Sequence, residues 1–273
     1  MLLADGVQRA VKGVVCGLLD LVFPDECRVC EQPLHEISRI PVCSACLKPP
    51  QPLSADFYCR TCRTPFLNGY PLDQTGQCAL CRLGLNGFDQ VYSSGAYEGT
   101  LRKLIHLFKF NRIQPLSRPL GRFLAEVLPR ERRFDAIVPM PLHWRRRWQR
   151  GFNQSELLAR EIAQRWHVPV RKVVHRRRAT APQAGLTSAQ RRKNVQGAFE
   201  VKRGTRLDGL SVLLVDDVLT TGATASACAR ALKRAAQRMF RSLHWLAATG
   251  GQALRFRQIH TLSPLEDQKH DGL

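Results

Sequence analysis

The chain has 273 residues, 44% of them hydrophobic, with 42 Lys and Arg against 22 Asp and Glu, a formal net charge of +20. That composition excludes a disordered polyelectrolyte and a minimal disulfide-stapled scaffold, and no run of about 18 uncharged apolar residues marks a membrane-spanning helix. A balance this basic favours polyanionic partners such as nucleic acid, phosphorylated small molecules or pyrophosphate, although an arginine-biased proteome would give the same excess.

The first stretch, residues 1–24, carries Leu3, Val7, Val11, Val14, Leu18 and Val22 at helical spacing. Asp5, Lys12 and Asp20 interrupt it, and no small-residue cleavage site follows, which is unlike a signal peptide. The expectation is an amphipathic helix packed on the rest of a cytoplasmic protein. A membrane-surface helix is the lesser reading, because the polar face is not strongly basic.

Residues 25–86 hold four Cys-x-x-Cys pairs: Cys27/Cys30, Cys43/Cys46, Cys59/Cys62 and Cys78/Cys81. A two-residue gap lets both thiolates of a tight turn face one ion, and four thiolates in a tetrahedron suit Zn²⁺. Eight ligands make two sites. Consecutive pairing (Cys27, Cys30, Cys43, Cys46; then Cys59, Cys62, Cys78, Cys81) closes shorter loops than an interleaved cross-brace, the alternative arrangement. With every ligand supplied by protein, such zinc is structural. Disulfides would need an oxidising compartment. Cys16 and Cys228 stand apart, on expected helices, and read as buried apolar side chains.

From residue 87 strands and helices alternate, so the expected fold is α/β with a mostly parallel sheet over residues 87–248. "FDQVYSSGAY" reads as a strand and "GTLRKLIHLFKF" and "LGRFLAEVLPR" as helices. "FDAIVPMPL" is a strand leaving the sheet at its prolines, and a helix starts after Asn153. "PVRKVVHRR" reads as a strand, and "SAQRRKNVQGAFEV" as a loop running into a short strand. Trp144 and Trp148 are expected to be packing residues, Phe152 core. "LSVLLVDD" is a buried strand, and Arg241–Ala248 is left as a final strand. The tail, residues 249–273, is polar and aperiodic and expected to be disordered.

"VLLVDDVLTTGATA" (Val212–Ala225) combines a strand, two acids and a turn of small residues entering a helix near Ala223. Backbone N–H groups of Thr220, Thr221, Gly222, Ala223 and Thr224 can face an anion there. Asp216 and Asp217 cannot bind that anion, but can accept from vicinal hydroxyls or hold Mg²⁺ through water. Phosphate, diol and divalent ion together describe a ribose 5-phosphate. The stretch resembles the phosphoribosyl pyrophosphate signature of type I phosphoribosyltransferases. "VPMPLHWRRRWQRGFNQSELLA" (Val138–Ala159) and "RATAPQAGLTSAQRRKNVQGAF" (Arg178–Phe199) look like segments of the ComF/GntX family. With the cysteine module, that resemblance covers about Leu18 to Ala236.

The resemblance implies a phosphoribosyltransferase-type fold with an N-terminal double zinc ribbon, and for some members a role in uptake and use of single-stranded DNA. It places Arg147, Arg150 and Gln154 near a pyrophosphate, and Gln183, Arg191 and Asn194 on a mobile hood. Asp216, Asp217 and Arg191 become the catalytic candidates, if there is turnover. From Pro141 to Arg206 seventeen basic residues face three acidic ones, so +14 of the net charge lies in one stretch. That surface, with Trp144, Trp148 and Phe152 interleaved, also suits single-stranded DNA. The rival functions are a phosphoribosyltransferase acting on a nucleobase-like acceptor and a regulator that senses phosphoribosyl pyrophosphate. After Ala236 the chain departs from the family pattern, as an altered reading frame would make it.

Overall fold

A computed structural model describes residues 26–34, 38–50, 56–62, 65–66, 68–83, 87–178, 187–218, 222–235 and 242–249. The expected N-terminal helix, the tail after Thr249, Cys16, Gln183, Thr220 and Thr221 lie outside the described residues.

Two short strands, β1 (Phe57–Tyr58) and β2 (Pro65–Phe66), form an antiparallel pair, and α1 (Ala79–Leu83) follows. The main sheet comprises β3 (Gln90–Ser93), β4 (Ala136–Pro139), β7 (Ser211–Val218) and β8 (Ser242–Thr249), in the order β3-β8-β7-β4. Every pairing in it is parallel. Its connections carry α2 (Gly99–Phe110), α3 (Ser117–Glu126), α4 (Trp144–Arg150), α5 (Gln154–Trp166), α6 (Ser188–Val195) and α7 (Ala223–Ala235).

β4 is buried at all four positions and β7 from Ser211 to Val215, the continuous apolar run that a strand covered on both faces needs. Side chains then alternate between faces. Val212 and Leu214 join Val138 and α7 in one buried cluster, whereas Leu213 and Val215 join Ile137, α2, α3 and α5 in another. α3 and α5 cross closely at Gly121, where a Cβ would lie 2.4 Å from that of Glu161. Cys228 is buried on α7, as a small apolar side chain there should be.

Two segments differ from expectation. "PVRKVVHRR" does not form one strand of the main sheet: Val170 makes a single parallel bridge to Ile137, and β5 (Val174–Arg176) pairs antiparallel with β6 (Phe199–Val201). Ser188–Val195 is a helix, not a loop. A capping box starts it: the Gln190 N–H donates to Thr187 Oγ1 (3.3 Å) and the Thr187 N–H to Gln190 Oε1 (2.8 Å). Its run of Arg, Lys and Asn has no apolar stripe, so periodicity could not reveal it. The last strand forms at Ser242–Thr249, beyond the point where the sequence leaves the family pattern.

Candidate functional site

β4 stops at Pro139, paired with Val215, while β7 runs on through Asp216, Asp217 and Val218 beside β8. The carboxylates therefore project past the end of β4, at the carboxyl edge where ligands of parallel sheets bind. A cavity of about 390 Å³ opens there. Met140, Pro141 and Leu142 after β4 wall one side, and Asn153, Gln154 and Ser155 at the start of α5 another. Arg146 and Arg150 of α4, Arg176 of β5 and Lys109 of α2 also reach it, as do Tyr97, Gly222 and Thr224.

Local chemistry fixes these positions. Asn153 caps α5 by accepting from the Ser155 N–H (3.2 Å), and its Nδ2 donates to the Met140 carbonyl (3.1 Å). One side chain thus ties the helix start to the end of β4. His143 caps α4, its Nδ1 accepting from the Arg145 N–H at 3.3 Å, and burial lowers its pKa. Gly151 closes α4 at φ 80°, and Gly222 precedes α7 at φ 69°, a conformation that favours glycine.

The two acids differ. Burial, together with the neighbouring Asp217, pushes Asp216 up to about 7, against hydrogen bonds from the Asp217 N–H (2.8 Å) and Ser155 Oγ (3.2 Å). Asp217 is paired with Lys109 at 3.0 Å. Burial lowers the guanidinium pKa values of Arg150 and Arg176. Gln154 is 1% exposed and its Nε2 has no hydrogen-bond partner. A buried amide donor without a partner costs about 1–3 kcal/mol, and Gln154 is among the residues that line the cavity. Glu156, next along α5, is held below the usual carboxylate range. Burial pushes it up, but Lys172 and Arg160, both in contact, outweigh that.

The eight cysteines assemble into two groups, Cys27, Cys30, Cys43, Cys46 and Cys59, Cys62, Cys78, Cys81, with all Sγ atoms of a group within 4.8 Å. Pairing is consecutive, not cross-braced. Sγ separations of 3.7 Å (Cys30–Cys43), 3.5 Å (Cys59–Cys81) and 3.6 Å (Cys62–Cys78) exclude disulfides there. They match the edge of a tetrahedron with bonds of about 2.3 Å, roughly 3.8 Å, so zinc fits both groups. The Cys43 N–H donates to Cys27 Sγ and the Cys78 N–H to Cys59 Sγ, each at 3.3 Å, which stabilises thiolate. Cys27 and Cys46 share the buried cluster of α2, α3 and α5, whereas the second group shares that of α7.

The DNA utilization protein YhgH of Salmonella typhi is 32% identical to this chain over 224 residues, which cover 78% of the chain and 93% of that protein. Competence protein F of Haemophilus influenzae is 31% identical over 221 residues, covering 78% and 92%. The chain belongs to the ComF family. Competence protein ComFC of Bacillus subtilis is 27% identical over 223 residues, covering 78% and 81%. No family model matches the chain. Among solved structures, Leishmania donovani UMP synthase overlaps 52% of this chain at 22% identity and a TM-score of 0.30. The chain spans about a quarter (24%) of that protein's length.

Of the site residues expected in this ComF family member, Asp216, Asp217, Gly222, Thr224, Arg150 and Gln154 meet around the cavity. Ala223 is the first residue of α7. Arg147 is exposed on α4 and does not line the cavity; Arg146 and Arg150, four apart, do. Arg191 and Asn194 lie on α6, not among the described lining residues, where the Asn194 carbonyl accepts from Arg178 Nη2 at 3.0 Å. Lys109, Arg176 and Ser155 escaped sequence reasoning, being brought in from three other elements. Ser155 alone had a signal, as the second residue after the cap.

Trp144 and Trp148 are not packing residues: they are 65% and 84% exposed, one turn apart on α4. Arg145 lies over the Trp144 ring at 5.3 Å and Arg150 over the exposed Phe110 ring at 5.3 Å. Phe152 is buried against Phe108, centroids 5.5 Å apart. Among the described residues no helix is long and apolar enough to cross a membrane.

Proposed function

We propose that the protein acts in the utilisation or uptake of DNA, that its cavity binds a ribose 5-phosphate group, free or as phosphoribosyl pyrophosphate, and that α4 holds single-stranded DNA. The relatives' names, DNA utilization protein and competence protein, support the role. What carries the ligand reading is one cavity lined by Asp216, Asp217, Arg146, Arg150, Arg176 and Gln154, whose buried Nε2 has no hydrogen-bond partner. In this reading the carboxylates accept from the ribose hydroxyls, the turn before α7 takes the phosphate, and Zn²⁺ in the two cysteine groups is structural. The DNA reading draws on the exposed Trp144 and Trp148 among Arg145, Arg146 and Arg147, because stacking on aromatic faces and phosphate contacts by arginine suffice for a single strand.

Anisotropy of a labelled oligothymidine tests the DNA half. Binding should weaken with salt, with a log–log slope of about −0.7 per phosphate contacted. Arg145→Glu with Arg147→Glu should lower affinity by about tenfold at low salt and flatten that slope. Unchanged affinity in the double variant refutes the assignment. A second reading, phosphoribosyl transfer to a nucleobase-like acceptor, draws on Asp216: a carboxyl titrating near 7 beside the cavity suits proton transfer. Pyrophosphate release with a panel of nucleobases, abolished by Asp216→Asn with Asp217→Asn, is its test.

A further inference from the structure

The acidic pair at the end of β7 already has a cation beside it. Lys109 stands in the last turn of α2, and its Nζ lies 3.0 Å from Asp217 Oδ1, with the two side chains only 13% and 15% exposed. Asp216 is engaged too, its Oδ1 accepting from Ser155 Oγ and from the Asp217 N–H. Mg²⁺ demands six oxygens in a near-ideal octahedron at about 2.0–2.1 Å and parts with its waters reluctantly. On each carboxylate Oδ1 is already engaged, in Asp217 by a fixed ammonium and in Asp216 by two donors. Arg146, Arg150 and Arg176 line the same cavity, so a divalent ion would enter a field that is already positive. The residues present do not fit Mg²⁺ bound by the acid pair. They do fit an oxygen-rich ligand, to which the ammonium and the guanidinium groups can donate.

We propose that Lys109 is the built-in counter-ion of this site, standing where a divalent metal would otherwise bridge acid and ligand, so that the sugar phosphate binds without Mg²⁺. The ammonium holds Asp217 in place and meets a hydroxyl or phosphate oxygen of the ligand. Its position on α2 makes metal independence a property of the fold and not of the ligand. The inference rests on the sugar-phosphate reading above.

Calorimetric titration of ribose 5-phosphate, and separately of phosphoribosyl pyrophosphate, tests it. Each is run in EDTA and in millimolar Mg²⁺, into the wild type, Lys109→Met and Lys109→Arg, with melting curves as the control for folding. The wild type should bind with the same affinity in both buffers. Lys109→Met should bind about tenfold more weakly in EDTA, the value of one charge-assisted hydrogen bond, and recover in Mg²⁺; a merely structural lysine would produce no such recovery. Lys109→Arg should stay indifferent to metal. Wild-type binding that appears only with Mg²⁺ overturns the inference and leaves the sugar-phosphate reading standing. Absence of binding by either ligand in both buffers overturns that reading instead. If Lys109→Met does not fold, the wild type and Lys109→Arg in the two buffers decide.

Discussion

The cysteine region and the acid cavity are built on opposite plans. Each cysteine group is assembled from two short turns, its ligands within about twenty residues of one another, and its geometry is complete without the sheet's help. The cavity draws on α2, α4, α5, β5, β7 and the start of α7, whose residues span more than a hundred positions. The first plan suits a site that draws its folding energy from a bound ion. The second spends stability to hold charges and an open amide out of water, as ligand sites do. Yet the two are joined in the core, for each cysteine group is buried with the side chains of one sheet face.

The sharpest way to break that contrast is to remove ligands from one group at a time. Cys59, Cys62, Cys78 and Cys81 are all buried beside α7, whereas Cys30 is exposed and Cys43 half-buried. The chain should carry two zinc ions, counted by metal release on thiol titration. Cys62→Ala should lose one of them and on the order of 10 kcal/mol, enough to abolish cooperative melting. Cys30→Ala should also lose one ion but leave a folded sheet with a lower melting temperature. Equally severe effects would mean that the core depends on both groups alike, and equally mild ones that it depends on neither.

The second test asks whether the cavity is strained. Unfolded, Asp216 titrates near 3.9, and folded it titrates at about 7. Well below pH 4 both states hold the proton, and above 7 neither does. Between these limits the folded chain binds the proton more tightly, so stability falls as pH rises, and the whole penalty stands above 7. Asp216→Asn should therefore stabilise the protein by about 2–4 kcal/mol at pH 8 and by progressively less toward pH 5.5. Zinc loss also grows as pH falls, but it is common to both proteins and cancels in their difference. The variant should melt higher at pH 8 while losing sugar-phosphate binding. A variant that melts lower at every pH would show Asp216 to be a structural group.

What was legible in the sequence divides along the same line. Cys-x-x-Cys spacing, the apolar run into Asp216 and Asp217, and the Asn153 cap are local signals, and each placed its residues correctly. Loop length favoured consecutive cysteine pairing over the cross-brace without excluding it, and the structure has the consecutive groups. Lys109 looked like one more polar residue on an amphipathic helix, because only the turn of α2 over β7 brings it to Asp217. Arg176 was read within a strand; that strand belongs to a separate antiparallel pair, from which Arg176 reaches the cavity. Ser188–Val195 hid because a helix of charged residues has no stripe, although Thr187 and Gln190 announced its start.

Trp148 and Phe152 make the finest test, since the sequence treats them alike. They stand four residues apart in one aromatic, arginine-rich stretch, yet Gly151 breaks the helix between them and sends them to different environments. Phe152 packs on Phe108 in the core, while Trp148 is 84% exposed. Phe152→Ala should cost about 3–5 kcal/mol of stability, because it leaves a cavity against α2. Trp148→Ala should change stability by no more than about 0.5 kcal/mol, having little packing to lose. If α4 holds a single strand, that same truncation should weaken oligothymidine binding by about 1–3 kcal/mol, the value of one stacked base. A tryptophan that costs nothing to remove in either assay would leave α4 with only its arginines, and its hold on DNA would then be purely ionic.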